Sequence, residues 1–295
     1  MTRLYLKKGR EESLRRFHPW VFSGAIGGVD GQDPEEGDIV SVYASNHDFL
    51  GWGHYQTGSI AVRILSFEDD KPAPGSEAEY WLARLRKAYG LRKACGLADN
   101  ASTTCYRLVH GEGDSLPGLV IDWYDGVCVM QAHSAGMFRA KGQIAEALKM
   151  LYGDQLQAVY DKSRGTAPFM AGLELGDGYL YKRDEAAALC PRTVLENRHL
   201  FEVDWETGQK TGFFLDQRDS RALVERLASG RRVLNLFCYT GGFSVYALGG
   251  GAESVDSVDS SAGAIALADR NILLNFGPKA PHKSLCCDAI DFVKR

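Results

Sequence analysis

The sequence predicts a multidomain α/β protein: a small β-barrel over residues 1–70, an α+β middle domain over 71–192, and a Rossmann-like domain over 193–295. Three observations carry this. Short alternating apolar and polar segments crowd the first 70 residues; a linker-like stretch and a long amphipathic helix follow; and "VLNLFCYTGGFSVYAL", Val233 to Leu248, runs from an apolar strand through paired glycines into a helix. A chain of 295 residues is long for one core and suits two or three domains of roughly 100–150 residues.

Taken in order, "GDIVSVYAS", "FLGWGHY" and "IAVRILSF" alternate in polarity between Gly, Asp and Asn breaks, the spacing of a small barrel. "DDKPAPGSE", Asp69 to Glu77, reads as a linker. The helix that follows places Trp81, Leu82, Leu85 and Tyr89 on one face. Two strands then flank the hairpin signal Tyr124-Asp125-Gly126, and a helix from Met137 to Tyr152 and the strand "LQAVYDKS" complete the middle domain. "TVLENRHLFEVDW" predicts a hairpin, and Glu206 to Gln209 a turn. Asp216 is a candidate N-cap for a helix with Leu223 and Leu227 as its buried stripe and Gly230 as its stop.

The composition, 45% apolar and 24% charged, is that of a globular protein, and no apolar run is long enough to span a bilayer. The first residues lack the apolar core of a signal peptide, so a cytoplasmic protein without a membrane partner is expected. Seven cysteines, odd in number and never spaced C-x-x-C, predict reduced thiols and neither a disulfide framework nor a metal site. The net charge of −4 excludes a uniformly basic coat, yet six basic residues face two acids between Met1 and Gly24. Lys7, Lys8, Arg10, Arg15 and Arg16, close to His18 and Trp20, are therefore candidate phosphate contacts. A solvated charged face, with Trp20 as a core plug, is the competing structural account. The basic cluster from Arg84 to Lys93 admits the same two readings.

The glycine turn carries the chemistry. A ligand lying across the carboxyl ends of parallel strands needs backbone approach without side chains, which Gly241 and Gly242 permit. A second strand ends in Asp259, 24 residues after Asn235, where a carboxylate can accept both ribose hydroxyls. A third ends in Asp288, placed to accept from an adenine amine. A dinucleotide turn wants G-x-G-x-x-G for its pyrophosphate, and Thr240-Gly241-Gly242-Phe243-Ser244 lacks that pattern. An adenosyl ligand without phosphates, such as S-adenosylmethionine, suits the turn better. A cofactor-free domain whose acids only cap helices is the plain structural alternative. Upstream, Phe213, Phe214 and Gln217 could fold over the ligand as an apolar lid and a donor, or the aromatics could simply pack on the sheet.

"KTGFFLDQRDSR", the glycine-turn segment, an Asp-Ser-Ser strand end and "CDAIDFV" together resemble the S-adenosylmethionine-dependent ribosomal RNA methyltransferases of the cytosine-C5 type. "LKKGREESLRRFHPWVFSGAI" resembles the start of that family's PUA domain, a small RNA-binding barrel, and "YRLVHGEGDSLPGLVIDWYDG" its middle domain. The resemblance implies a class I methyltransferase domain with large-subunit ribosomal RNA as partner. By position it implies that Phe214, Asp216, Gln217 and Arg221 flank the cofactor. It further implies that Asn235, Phe237, Tyr239, Gly241 and Phe243 belong to its loop, that Asp259 with Ser260 holds the ribose, and that Asp288 with Ala289 meets the adenine.

A doubly wound sheet of this class needs about seven strands, and three strand–helix units are legible before Arg295. The expectation is thus a truncated domain that binds cofactor but is catalytically dead, with an open sheet edge that invites homodimerisation. Methylation at pyrimidine C5 requires a thiolate to attack C6 first, and Cys238, in the loop, reads as a packing residue. No catalytic residue is assigned. A guanine-N2 methyltransferase, an NAD-dependent oxidoreductase and a non-catalytic RNA-binding protein remain alternatives.

Overall fold

The computed structural model describes residues 2–168 and 172–294. The chain divides into two compact units, Met1–Gly96 with Arg107–Ala187, and Leu97–Tyr106 with Ala188–Arg295.

In the first unit, β1 (Arg3–Leu6), the one-turn helix α1 (Glu12–Arg15), β2 (Trp20–Phe22), β3 (Ile26–Asp30), β4 (Ile39–Tyr43), β5 (Phe49–Tyr55) and β6 (Ile60–Ser66) come first. The strands form a six-stranded sheet in the order β2-β6-β5-β4-β1-β3. All neighbours run antiparallel except β1 and β4, which are parallel. Alternating residues of these strands, Leu4 and Leu6, Val40 and Val42, Val62 and Ile64, meet Leu14 of α1 in one core. Gly53 permits the close approach of β5 to β6, since a Cβ there would lie 1.9 Å from the Arg63 carbonyl oxygen.

Next comes α2 (Glu77–Ala94), which buries Trp81, Leu82 and Leu85 as its periodicity predicts. The strands β7 (Cys105–His110), β8 (Leu119–Tyr124), β9 (Val127–Ala132), β10 (Ala158–Asp161) and β11 (Gly178–Lys182) form a second sheet in the order β11-β10-β9-β8-β7. The β8–β9 hairpin turns on Asp125 and Gly126, both left-handed at φ 43° and 101°, which matches the twist of the flanking strands. The single helix expected from Met137 to Tyr152 is instead a pair, α3 (Ala135–Arg139), capped by the Ser134 hydroxyl, and α4 (Lys141–Tyr152). Lys141 opens the second helix and its ammonium reaches the buried Asp161 carboxylate at 2.8 Å. Arg107 makes a two-pronged pair with buried Asp122, at 2.8 and 3.0 Å.

The second unit holds the hairpin β12 (Arg192–Glu196) and β13 (His199–Val203), then α5 (Arg218–Leu227), β14 (Arg232–Leu236), α6 (Gly242–Gly249), β15 (Ser254–Asp259), α7 (Ala262–Phe276), β16 (His282–Cys286) and α8 (Ala289–Val293). The parallel sheet has the order β14-β15-β16, with α6 and α7 as crossovers. Residues 97–106, expected in the middle block, belong to this unit. Thr104 donates its N–H to the Leu195 carbonyl at 2.8 Å and accepts from Leu195 N–H at 3.0 Å.

Two features of α5 correct the sequence reading. Asp216 does not cap it; that residue sits in a short 3-10 turn, and the helix starts at Arg218 without a side-chain cap. Leu223 and Leu227 are not buried either, being 46% and 66% exposed, whereas Arg221 is 1% exposed. The inward face of this helix is charged: Arg218 and Arg221 both donate to Glu196 on β12, a residue with no exposed surface. In the 295-residue protein, Leu227→Lys should therefore change the unfolding free energy by less than about 0.5 kcal/mol in a urea titration. A loss of more than about 2 kcal/mol, the scale of a buried leucine, would contradict this placement.

Candidate cofactor site

The sheet's carboxyl end opens on a cavity of about 580 Å³. Of the candidate residues, Phe214, Gln217, Arg221, Asn235, Phe237, Tyr239, Phe243, Asp259 and Ser260 line it together. Asp216, Gly241, Asp288 and Ala289 are not part of the lining. Asp288 caps α8, its Oδ1 accepting from Ile290 and Asp291 N–H at 2.8 and 2.9 Å. It nonetheless follows directly on Cys287, whose N–H donates to the Asp259 carbonyl at 3.0 Å, so β16 ends beside the cavity's acid.

The turn between β14 and α6 is held in an unusual shape. Phe237, Tyr239 and Gly241 all lie in the left-handed region, with φ 56°, 47° and 77°. For two non-glycine residues that conformation is strained and must be imposed by neighbours. Asp259 supplies one restraint, its Oδ2 accepting from Tyr239 N–H at 2.9 Å while Oδ1 accepts from Ser261 N–H at 2.9 Å. Cys238 N–H donates to the Val258 carbonyl at 3.0 Å. Asn271, fully buried on α7, donates to the Thr240 carbonyl at 2.8 Å and accepts from Glu202 N–H on β13 at 2.8 Å. Gly241 is required twice over, since a Cβ there would also lie 2.9 Å from that of Ala268.

A second loop closes the other wall. The Tyr239 hydroxyl accepts from Gln209 N–H at 2.9 Å and donates to the Gly212 carbonyl at 3.2 Å, and its ring meets Phe214 edge-on at 5.3 Å. Gly208 is pressed against this turn, where a Cβ would be 2.2 Å from the Asp204 carbonyl oxygen. Phe213 is buried and packs on Phe201 at 4.9 Å while still touching the cavity. Arg221 stands in the wall with its charge committed: Nε and Nη2 donate to Glu196 at 2.8 Å each, and Nη1 to the Phe214 carbonyl at 3.0 Å. Its role is to fix Phe214. Sequence reasoning missed Gln209 as a lining residue; the turn signal at 206–209 was visible, but not its long-range partner Tyr239.

Cys238 also lines the cavity, and burial, reinforced by Asp259, pushes its thiol up to about 12. It is a protonated thiol at neutral pH.

Among the basic candidates of the first unit, Arg15 pairs with Asp48 at 2.9 Å, Arg16 with Glu12 at 3.8 Å, and Lys7 donates to the Gly24 carbonyl at 2.9 Å. Lys8 and Arg10 are exposed. Trp20 is half-buried, its indole N–H donating to Glu112 at 2.9 Å and its ring meeting His18 edge-on at 5.6 Å. Arg10 and Trp20 line a groove of about 490 Å³ with Leu14 and Phe22. No helix among the described residues is long and apolar enough to cross a membrane.

Comparison with known proteins agrees with this architecture. Residues 4–67 match the PUA-like domain family and residues 106–278 the S-adenosylmethionine-dependent methyltransferase family. A putative SAM-dependent methyltransferase from Streptococcus mutans superposes with a TM-score of 0.81 at 26% identity, covering 100% of this chain and 73% of that one. A putative methyltransferase solved in complex with SAH gives a TM-score of 0.82 at 26% identity, covering 100% and 72%. The fold is thus that of an S-adenosylmethionine-dependent methyltransferase carrying a PUA-like domain. Ribosomal RNA large subunit methyltransferase I from Pseudoalteromonas translucida is 39% identical over 99% of this chain and 69% of its own length. The enzyme of the same name from Photobacterium profundum is 40% identical over 93% and 67%. The chain belongs to this family of ribosomal RNA large subunit methyltransferases.

Proposed function

We propose that the cavity binds S-adenosylmethionine, with Asp259 accepting the ribose hydroxyls, Asn235 the amino-acid end, and Phe214, Phe237 and Phe243 walling the adenosyl group. Asp288 and Ala289, at the end of β16, are where the adenine reaches, and Gln217 contributes a donor from the lid. The observation that carries this reading is the strand-end carboxylate Asp259 clamped to a left-handed turn in one cavity. A dinucleotide fits less well. The turn Thr240-Gly241-Gly242-Phe243-Ser244 lacks the G-x-G-x-x-G pattern that cradles a pyrophosphate.

The substrate proposed is a cytosine of large-subunit ribosomal RNA, methylated at C5. The basic residues Lys7, Lys8, Arg10, Arg15 and Arg16, with His18 and Trp20, would contact the RNA from a barrel-like domain over 1–70. Cys238 is read as a packing residue of the cofactor loop and not as the nucleophile of this chemistry, since it lines the methyl-donor cavity. The edge of β14, where Leu234 is 48% exposed, would favour a homodimer. A cytoplasmic site of action follows from the RNA substrate.

Calorimetry with S-adenosylhomocysteine and with NAD tests the cofactor reading. Micromolar binding of the first and none of the second is expected; the reverse order would overturn it.

A further inference from the structure

Asn235 enters the cavity from the end of β14, and its side chain is the head of a buried polar chain. Its Nδ2 donates to Ser244 Oγ on α6 at 2.8 Å. Ser244 Oγ lies 2.7 Å from Ser257 Oγ on β15, and Ser257 Oγ lies 2.8 Å from His282 Nε2 on β16. Both serines have no exposed surface, and the His282 side chain is 6% exposed. The other face of the imidazole looks to Asp269 on α7, with Nδ1 3.7 Å from its carboxylate, and Asp256 on β15 is the second charged group that acts on it. Four elements thus contribute one group each to a line running from the sheet's edge to the cofactor cavity. Nothing in the helix periodicity or the glycine turn calls for two hydroxyls in this apolar interior.

We propose that Ser244, Ser257 and His282 are positioning residues for the cofactor: they hold the Asn235 amide with its carbonyl oxygen toward the cavity, as the acceptor for the ligand's ammonium group. This rests on the reading of the cavity as the methyl-donor site. The proposal fixes the direction of the chain. Ser244 accepts from Asn235 and gives its own hydrogen to Ser257. Ser257 then sends its hydrogen to His282 Nε2, which must be a bare lone pair, with the imidazole proton on Nδ1 toward Asp269. A second proton on His282 would reverse the line. Nε2–H would point at Ser257, the Ser257 hydrogen at Ser244, and the Ser244 hydrogen at the Asn235 amino group. The amide must then turn over and present N–H to a cationic ligand.

The sign follows. Ligand binding needs the neutral imidazole, so affinity is complete above the His282 pKa and falls as pH drops through it. Burial sets that pKa below the usual histidine value, against the opposing pull of Asp269 and Asp256.

The test is calorimetric titration of the 295-residue protein with S-adenosylhomocysteine, which carries the same ammonium group, between pH 8 and pH 5. Wild type should weaken by roughly three- to tenfold across that range, the scale of one hydrogen bond to a charged group. His282→Gln, which keeps an acceptor for Ser257 but does not titrate, should bind within about threefold of wild type at pH 8 and stay flat. Ser257→Ala, a small change that the fold should tolerate, should bind about three- to tenfold more weakly at pH 8 and also stay flat. A wild-type affinity that stays flat over a range in which nitrogen NMR shows the His282 ring gaining its second proton, or a His282→Gln profile with the wild-type slope, overturns the proposal. If the wild type binds no ligand at any pH, the cofactor reading has failed, and the chain is judged separately by nitrogen NMR of the His282 ring. A protonated Nδ1 and bare Nε2 at pH 8 support it, and a protonated Nε2 overturns it.

Discussion

Glu196→Ala is expected to remove much of the second unit's stability, lowering its unfolding free energy by about 3–5 kcal/mol, the cost of leaving buried charge without its partner. Glu196 has no exposed surface and accepts from Arg221 at 2.8 Å, from Arg218 at 3.2 Å and from the Tyr246 hydroxyl at 3.0 Å. Burial, then the Glu196 carboxylate, push the Tyr246 phenol upward, so it remains a donor at any pH the fold survives. Removing the carboxylate strands the Arg221 guanidinium between the Phe213 ring, 4.6 Å away, and the Tyr246 ring, 5.9 Å away. Glu196→Gln keeps the acceptor oxygen and loses the charge, so it should cost less. Urea denaturation with hydrogen exchange read at β12 and β13 measures both. A Glu196→Ala loss under about 1 kcal/mol, the range of an exposed pair, would show that the network carries no such weight. Because Arg221 also holds the Phe214 carbonyl, any folded fraction of the variant should have a loosened cavity wall.

Asp259→Ala is expected to reduce S-adenosylhomocysteine affinity at least about a hundredfold, since the proposed binding mode gives this carboxylate two charge-assisted hydrogen bonds to the ribose. A second effect adds to the first. Tyr239 N–H loses the acceptor that keeps the residue at φ 47°, and the turn can relax out of its binding shape. Asp259→Asn retains an acceptor for Tyr239 but not the charge, and should fall between, at about tenfold. The comparison separates loop anchoring from ligand contact. Calorimetry decides it, and an alanine variant that binds within about threefold of wild type would remove Asp259 from the site. Thermal melting should show only a modest decrease, because the two N–H groups it satisfies lie at the edge of the cavity rather than in the core.

Much of the molecule was legible in the sequence because its signals are local. The alternation in "GDIVSVYAS" became β4, the stripe Trp81, Leu82, Leu85 became the buried face of α2, and Tyr124-Asp125-Gly126 became a hairpin turn. The residues of the glycine turn and Asp259 do meet at one cavity. What failed was the assumption that a helix always turns its leucines inward. On α5 the leucines point out and two arginines point in, because the carboxylate they meet lies over twenty residues back, on a different element.

By itself, then, the sequence determined the strands, the helices, the glycine turn and the family to which they belong, since each depends on residues close together in the chain. Tertiary structure alone decided that Asn271 bridges β13 to the turn, that Tyr239 bonds a loop 30 residues away, and that a histidine and two serines stand behind Asn235. Those contacts join groups with no common periodicity, and a buried polar atom is satisfied by whatever partner the packing of distant elements brings within reach.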